Sequence, residues 1–193
     1  MALAAFLEDT HIKYDLVEKC RDWNHQGFLI GLWDSGRDIL KKLGLADQID
    51  AVSAPLHSYS LRDGSGRELR ALDLRTFYAE FGGAASIISR ADLHACLREK
   101  VNPAHIRMGV EVKNIEVGEK YTVTFSDGTS ADYDVVVGAD GIHSKVRELV
   151  FGKNRESFTN WRAWYVWIGN EYDVPATIVD YMEANENVTV FAS

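Results

Sequence analysis

The chain is short of the residues and runs that mark several protein classes. Of its 193 residues only three are proline and two are cysteine. No Pro-rich, low-complexity or linker tract interrupts it. Cys20 and Cys96 lie too far apart to suggest a disulfide framework or a metal-ligand pair, so a reducing cytoplasm is the default expectation. Basic residues are outnumbered, 21 Lys and Arg against 29 Asp and Glu, for a net charge of −8. Such a chain lacks the cationic surplus that replaces phosphate counterions, which argues against nucleic acid as a partner. No apolar run approaches the ~18 residues of a membrane span. Ala2 to Leu7 has no basic flank and is too short for a signal peptide. His11, His25, His57, His94, His105 and His143 show no metal-ligand spacing, so no metal site is expected. G-x-S-x-G is absent, so Ser144 does not sit in a hydrolase nucleophile elbow.

What is present suits a soluble α/β protein: 46% hydrophobic residues, 26% charged and 15 glycines. Residues 2–9 read as the end of a helix, with no capping residue before them. Residues 12–18 read as a strand ending in the acid Glu18. Residues 34–43 make an amphipathic helix stopped by Gly44. Leu56–Arg62 and Glu68–Leu74 are the arms of a hairpin turned by Asp63-Gly64-Ser65-Gly66. Ser89 caps a helix whose buried stripe is Leu93, Cys96 and Leu97. Residues 106–117 and 120–126 are strands, and Asp127-Gly128 turns the chain after them. Tyr133 to Gly138 is a continuous apolar strand of the kind buried in a parallel sheet. Trp161 to Ile168 reads as a further strand, with Trp161, Ala163, Tyr165 and Trp167 on one face, forming either a sheet core or the wall of an aromatic pocket.

The most informative stretch runs from Asp134 to Arg147. An apolar strand meets Gly138-Ala139-Asp140-Gly141, and a polar helix start with Ser144 follows. Gly138 and Gly141 allow backbone to approach a ligand closely. Asp140 sits at a strand's C-terminal end, where open α/β sheets bind ligands, and a carboxylate there accepts ribose hydroxyls. The following helix start offers N–H groups to a phosphate. The residues leave one plain alternative open, a strand–turn–helix with a capping aspartate.

Gly138-Ala139-Asp140-Gly141 with Ser144 and Arg147 resembles the second flavin motif of class A flavoprotein monooxygenases, the aromatic-hydroxylase type. The resemblance extends over roughly residues 1–150. Tyr14 to Glu18 is similar to the family's second strand, whose terminal glutamate binds the adenosine ribose. Gly27 to Trp33 is similar to the segment that follows it. Ser89-Arg90-Ala91-Asp92-Leu93 resembles a helix start whose arginine reaches the flavin's phosphate or ribitol region. The strand around Val110 and Val112 resembles the one that brackets adenine.

The resemblance therefore implies a glutathione-reductase-like FAD fold with a partly parallel sheet and an added hairpin. It implies FAD bound through Glu18, Arg90, Val112, Gly138, Asp140 and Gly141, with no catalytic side chain named. Residues 1–151 form the FAD-binding domain on this reading, and residues 152–193 open a mostly antiparallel substrate domain. NAD(P)H and dioxygen are the implied co-substrates, and a small organic, often aromatic, molecule is hydroxylated. The family's G-x-G-x-x-G fingerprint is absent, since an acid about 20 residues beyond it places the last glycine at or before Met1. The stretch is accordingly expected to lack the first strand and pyrophosphate loop, to bind FAD weakly or not at all alone, and to show no activity alone. Two alternatives stay open: a flavin reductase or dehydrogenase, and a non-catalytic remnant or interaction module without flavin.

Overall fold

The structure, a computed structural model, describes residues 1–23, 27–153, 157, 160, 162–166, 177–183 and 186–191. Among them the helices are α1 (Ala2–Leu7), α2 (Asp34–Lys42), α3 (Ala46–Val52), α4 (Leu74–Phe81), α5 (Arg90–Arg98) and α6 (Lys145–Phe151). The first six strands are β1 (Leu16–Glu18), β2 (Leu29–Leu32), β3 (Ser53–Pro55), β4 (Ser58–Asp63), β5 (Glu68–Asp73) and β6 (Ser86–Ser89). The others are β7 (Ile106–Met108), β8 (Val112–Val117), β9 (Tyr121–Phe125), β10 (Ser130–Tyr133), β11 (Thr177–Met182) and β12 (Asn187–Phe191). The chain divides into two compact units.

One unit takes Met1–His11, His25–Val101 and Tyr165–Ser193. Its centre is β6, flanked by β2 and β3 in antiparallel register. Successive strand residues face opposite ways. Ile88 enters a cluster with Leu32, Leu40, Leu45 and Ile49, while its neighbour Ile87 enters one with Leu56, Leu74 and Ala85. Both are almost fully buried, so truncating either to Ala should destabilise the fold by about 2–5 kcal/mol. Leu93, Cys96 and Leu97 of α5 pack on the first cluster, as their spacing predicts.

α2 ends in a left-handed cap. Gly44 has φ +67°, its N–H reaches the Lys41 carbonyl, and the Leu45 N–H reaches the Leu40 carbonyl. The same cap delivers Leu45 into the core with no exposed surface. The β4–β5 hairpin forms as expected, with Asp63 Oδ1 accepting the Ser65 and Arg67 N–H groups across the turn. β4 also pairs in parallel with β11, which pairs antiparallel with β12, giving the order β12-β11-β4-β5.

The other unit takes Ile12–Asn24 and Asn102–Trp164. β1 and β7 pair in parallel, three residues each. β8, β9 and β10 form an antiparallel meander with Val123 and Phe125 buried. Arg107 of β7 lies 4.3 Å over the Phe125 ring and donates to Asp127 and Thr129, tying the pair to the meander. α6 packs against β8. The sheets are thus part parallel and part antiparallel, as the α/β reading requires.

Four sequence expectations need correction. The strand expected over 12–18 is only Leu16–Glu18, because its partner β7 is bounded by the turn Pro103–His105 and by Gly109. The strand expected over 106–117 is two strands in different sheets. Gly109, at φ +71°, breaks it and donates its N–H to the Cys20 carbonyl. Residues 134–138 form no strand: no described strand pairs with them, and Val135 and Val137 are exposed. Of the aromatic strand expected over 161–168, residues 162–166 are not extended into a ladder, and Trp161 and Trp167 lie outside the described residues. Tyr165 instead stacks on Phe28, ring centroids 4.8 Å apart.

Candidate cofactor site

The loop after β10 is built from its own hydrogen bonds. Tyr133 closes the strand by donating its hydroxyl to the Asp15 carboxylate, and burial followed by that carboxylate pushes its phenol up to about 12. Beyond it the chain crosses 134–144 to α6. Asp140 Oδ2 accepts the N–H of Lys145 at 2.6 Å and of Val146 at 3.0 Å. Its Oδ1 accepts the Ser144 hydroxyl, and Ser144 Oγ in turn accepts the Arg147 N–H at 3.0 Å. The Arg147 guanidinium donates to the Ile142 carbonyl. Burial opposes the charged form of Asp140, but the bonds from Ser144, Val146 and Lys145 outweigh it and hold the carboxyl below its usual range.

Every first-turn N–H of α6 therefore has a partner inside the chain: Lys145 and Val146 on Asp140, Arg147 on Ser144. This corrects the expectation that the helix start presents free N–H groups to a phosphate. The capping aspartate that the residues left open is present, and it is Asp140 itself. Gly138 also has an internal role. A Cβ there would meet Val146 at 2.9 Å, so the glycine lets the loop lie against its own helix. Gly141 differs, with φ +84° and open space where a Cβ would stand.

Glu18 and Val112 belong to the same unit as this loop. Glu18 ends β1, half-buried, with its Oε1 accepting the Cys20 N–H at 2.9 Å. Its carboxylate pushes the Cys20 thiol up, chiefly through their hydrogen bond. Its carbonyl receives the Val110 N–H at 3.1 Å, which draws the start of β8 to the end of β1. Val112 opens β8 opposite Phe125, and α6 packs on that strand. Glu18 and Val112 thus lie at either side of the start of β8, and the 138–141 loop leads into α6, which packs on the same strand.

Arg90 belongs to the other unit. It is the first residue of α5, its N–H donating to the Phe28 carbonyl at 2.8 Å. A Cβ on Gly27 would stand 2.6 Å from Arg90 Cδ, so that glycine makes room for the guanidinium's stem. Sequence reasoning passed over this pairing, and over the Ser144 donation to Asp140. The second had a signal, a serine four residues after the acid at a helix start.

Two cavities lie elsewhere. One of about 220 Å³ is lined by residues including Asp34, Arg37, Lys41 and Asp50, the other, about 330 Å³, by Gly64, Tyr181, Glu183, Glu186 and Val188. Neither includes a predicted site residue. Among the described residues no cluster of three His, Cys, Asp or Glu can hold a metal, and no helix is long and apolar enough to cross a membrane.

No family model matches the chain. Individual proteins do. The FAD-dependent monooxygenase prhF of Penicillium brasilianum is 31% identical over 174 residues, covering 82% of this chain and 37% of that protein. The 3-amino-4-hydroxybenzoate 2-monooxygenase PtnB3 of Streptomyces platensis is 32% identical over 155 residues, 79% of this chain and 39% of its own length. Among solved structures, Klebsiella pneumoniae HpxO complexed with FAD and uric acid shares the fold, with a TM-score of 0.78 over 98% of this chain and 49% of HpxO at 24% identity. Tetracycline destructase Tet(55) matches at a TM-score of 0.62 and 26% identity, over 79% of this chain and 38% of that one. These similarities support reading the chain as a fragment of a FAD-dependent monooxygenase of the aromatic-hydroxylase type. The chain spans well under half the length of these two monooxygenase relatives.

Proposed function

We propose that this chain forms much of the FAD-binding portion of a monooxygenase that uses NAD(P)H and dioxygen to hydroxylate a small organic, often aromatic, molecule. The observation that carries the reading is Asp140: an exposed carboxylate, held ionised and fixed in place, inside a sequence that resembles a flavin motif. The donor set fits the cofactor chemically. Two carboxylates, Glu18 and Asp140, suit ribose and ribityl hydroxyls, and the Arg90 guanidinium suits a phosphate. Val112 supplies strand backbone against adenine, and Gly138 and Gly141 leave only the Ala139 methyl among the loop residues beside Asp140. The flavin would supply the redox chemistry. The protein's share is to bind and orient it: Glu18 and Asp140 accept hydroxyl donors while Arg90 offsets phosphate charge. On this reading residues 1–151 serve the cofactor and residues 152–193 open the substrate-binding portion, in a cytoplasmic protein.

Fluorescence titration with FAD, carried to saturation, tests the reading. Asp140→Ala should weaken binding by about 1–3 kcal/mol, the size of a lost hydrogen bond to a charged group. Equal affinity in mutant and wild type would remove Asp140 from the site.

A further inference from the structure

β1 is a weak platform for Glu18. It has three residues and pairs, among the described strands, with β7 alone, itself three residues long. A two-stranded pair this short is marginal in water without further support. Part of that support comes at the start of β1. The Tyr14 ring meets the His105 ring just before β7, centroids 4.7 Å apart. The Asp15 carboxylate accepts the hydroxyl of Tyr133, the last residue of β10.

Tyr133 is itself fixed. Its backbone is in register with Tyr121 of β9, and its ring stands edge-on to the buried Phe125 ring, centroids 6.4 Å apart. Arg107 of β7 covers the same Phe125 ring at 4.3 Å and donates to Asp127 and Thr129. These contacts close a circuit. Backbone joins β1 to β7, Arg107 joins β7 to the meander, and Tyr133 joins the meander back to β1. Burial and then the Asp15 carboxylate push the phenol up to about 12, with Arg107 opposing them. The hydroxyl therefore remains a donor throughout neutral pH. From this one hydrogen bond the chain leads to both candidate carboxylates. Glu18 stands three residues after Asp15, and Asp140 seven residues after Tyr133. Residues 134–138 pair with no described strand, so the loop is set from its ends: Tyr133 on one side, α6 on the other.

We infer that the Tyr133–Asp15 hydrogen bond is a positioning contact that holds the strand bearing Glu18 and the loop bearing Asp140 at one spacing, so that both carboxylates meet the same ligand. The inference rests on the FAD reading above for the identity of that ligand. It goes beyond it in giving Tyr133 and Asp15, which the resemblance leaves without a role, a share in binding through Glu18 and Asp140. Without the bond β1 keeps its ladder with β7, but its start is released from the meander and Glu18 shifts with it.

Variants of the chain separate positioning from support of the fold. Tyr133→Phe removes the hydroxyl and leaves the ring on Phe125, and Asp15→Ala removes the acceptor from the other side. Either should move the Glu18 and Cys20 amide signals in NMR. In Asp15→Ala the late-titrating phenol should return toward the ordinary tyrosine range, because an acceptor that favours its neutral form is lost. Each variant should bind FAD about fivefold more weakly, the size of one lost hydrogen bond. The double variant should bind no more weakly than either alone, since both delete the same contact. Glu18→Gln should cost less affinity in the Tyr133→Phe background than in the wild type, because a displaced carboxylate has less to lose. An equal cost in both backgrounds would show that Tyr133 supports the fold alone, and would overturn the inference. Single variants that match the wild type in amide signals and in affinity would overturn it too. Should the wild type bind no FAD while either variant still moves Glu18 and Cys20, the cofactor reading falls and the tie between β1 and the loop stands.

Discussion

The starts of α5 and α6 use the same serine in different ways. At α5, Ser89 Oγ accepts the Asp92 N–H at 3.0 Å and donates to Asp92 Oδ2 at 2.6 Å. The acid lies inside the first turn, so the arrangement closes within the helix. At α6, Ser144 accepts the Arg147 N–H, but its acid is Asp140, four residues upstream in the loop. That carboxylate also holds two backbone donors of the helix. Moving the acid from inside the turn to the loop before it changes what the cap secures. The first fastens one turn of helix; the second fastens a loop to a helix and leaves a carboxylate oxygen at the surface.

Asp140→Ala should break this difference most strongly. It removes the acceptor of two N–H groups and one hydroxyl, and should loosen the α6 start by about 1–3 kcal/mol. Hydrogen exchange at the Lys145, Val146 and Arg147 amides reads the effect. Asp92→Ala should leave the Ser89 hydroxyl still capping its own turn and change exchange there far less. Equal losses at the two helices would mean that the position of the acid is immaterial.

Acid should act on α6 in a definite direction. The folded Asp140 carboxyl is held below its ordinary range, so its contribution is complete above the unfolded pKa and fades as pH falls through the folded one. Protection at Lys145 and Val146 should follow that course. α4 supplies a reference: its cap Asp73 is brought down to about 2, chiefly by the Arg75 guanidinium, and accepts the Arg75 and Thr76 N–H groups. The α4 start should persist until pH approaches that value. Loss of protection at α6 already at neutral pH would contradict the assignment of Asp140 as its cap.

Smaller effects probe the other predicted contacts. Gly27→Ala places a methyl 2.6 Å from Arg90 Cδ, so the guanidinium must shift. FAD affinity should fall several-fold, roughly 1 kcal/mol, with exchange at α6 unchanged. An unchanged affinity would separate Arg90 from the cofactor. Glu18→Gln keeps shape and one acceptor while removing charge. It should weaken FAD binding only modestly, and unfolding without any loss of affinity would show a structural role instead.

Much of this was legible in the sequence, and what was not has physical reasons. The β4–β5 hairpin and the Ser89 cap were readable because their chemistry is local: Asp63 bonds across its own turn and Ser89 across its own helix. Residues 134–138 carry the apolar pattern of a buried strand, yet a strand exists only with a partner, and none of the described strands pairs there. β10 was missed because Ser130-Ala131-Asp132 shows no apolar run; it is made by its pairing to β9. Gly109 splits one expected strand in two, and only the parallel pairing of β7 with β1 reveals why. At the site, the placing of Asp140 just before a helix was readable from its motif. The use of its carboxylate by α6 was visible only as the plainer alternative, since spacing does not say where an acid turns.

Amide NMR of the chain during addition of FAD tests the central claim most directly, because it maps even weak binding residue by residue. The account predicts concentration-dependent shifts at Glu18, Arg90, Val112 and 138–144, with Lys145 and Val146 remaining protected by Asp140 throughout. Shifts confined to other surfaces would contradict it.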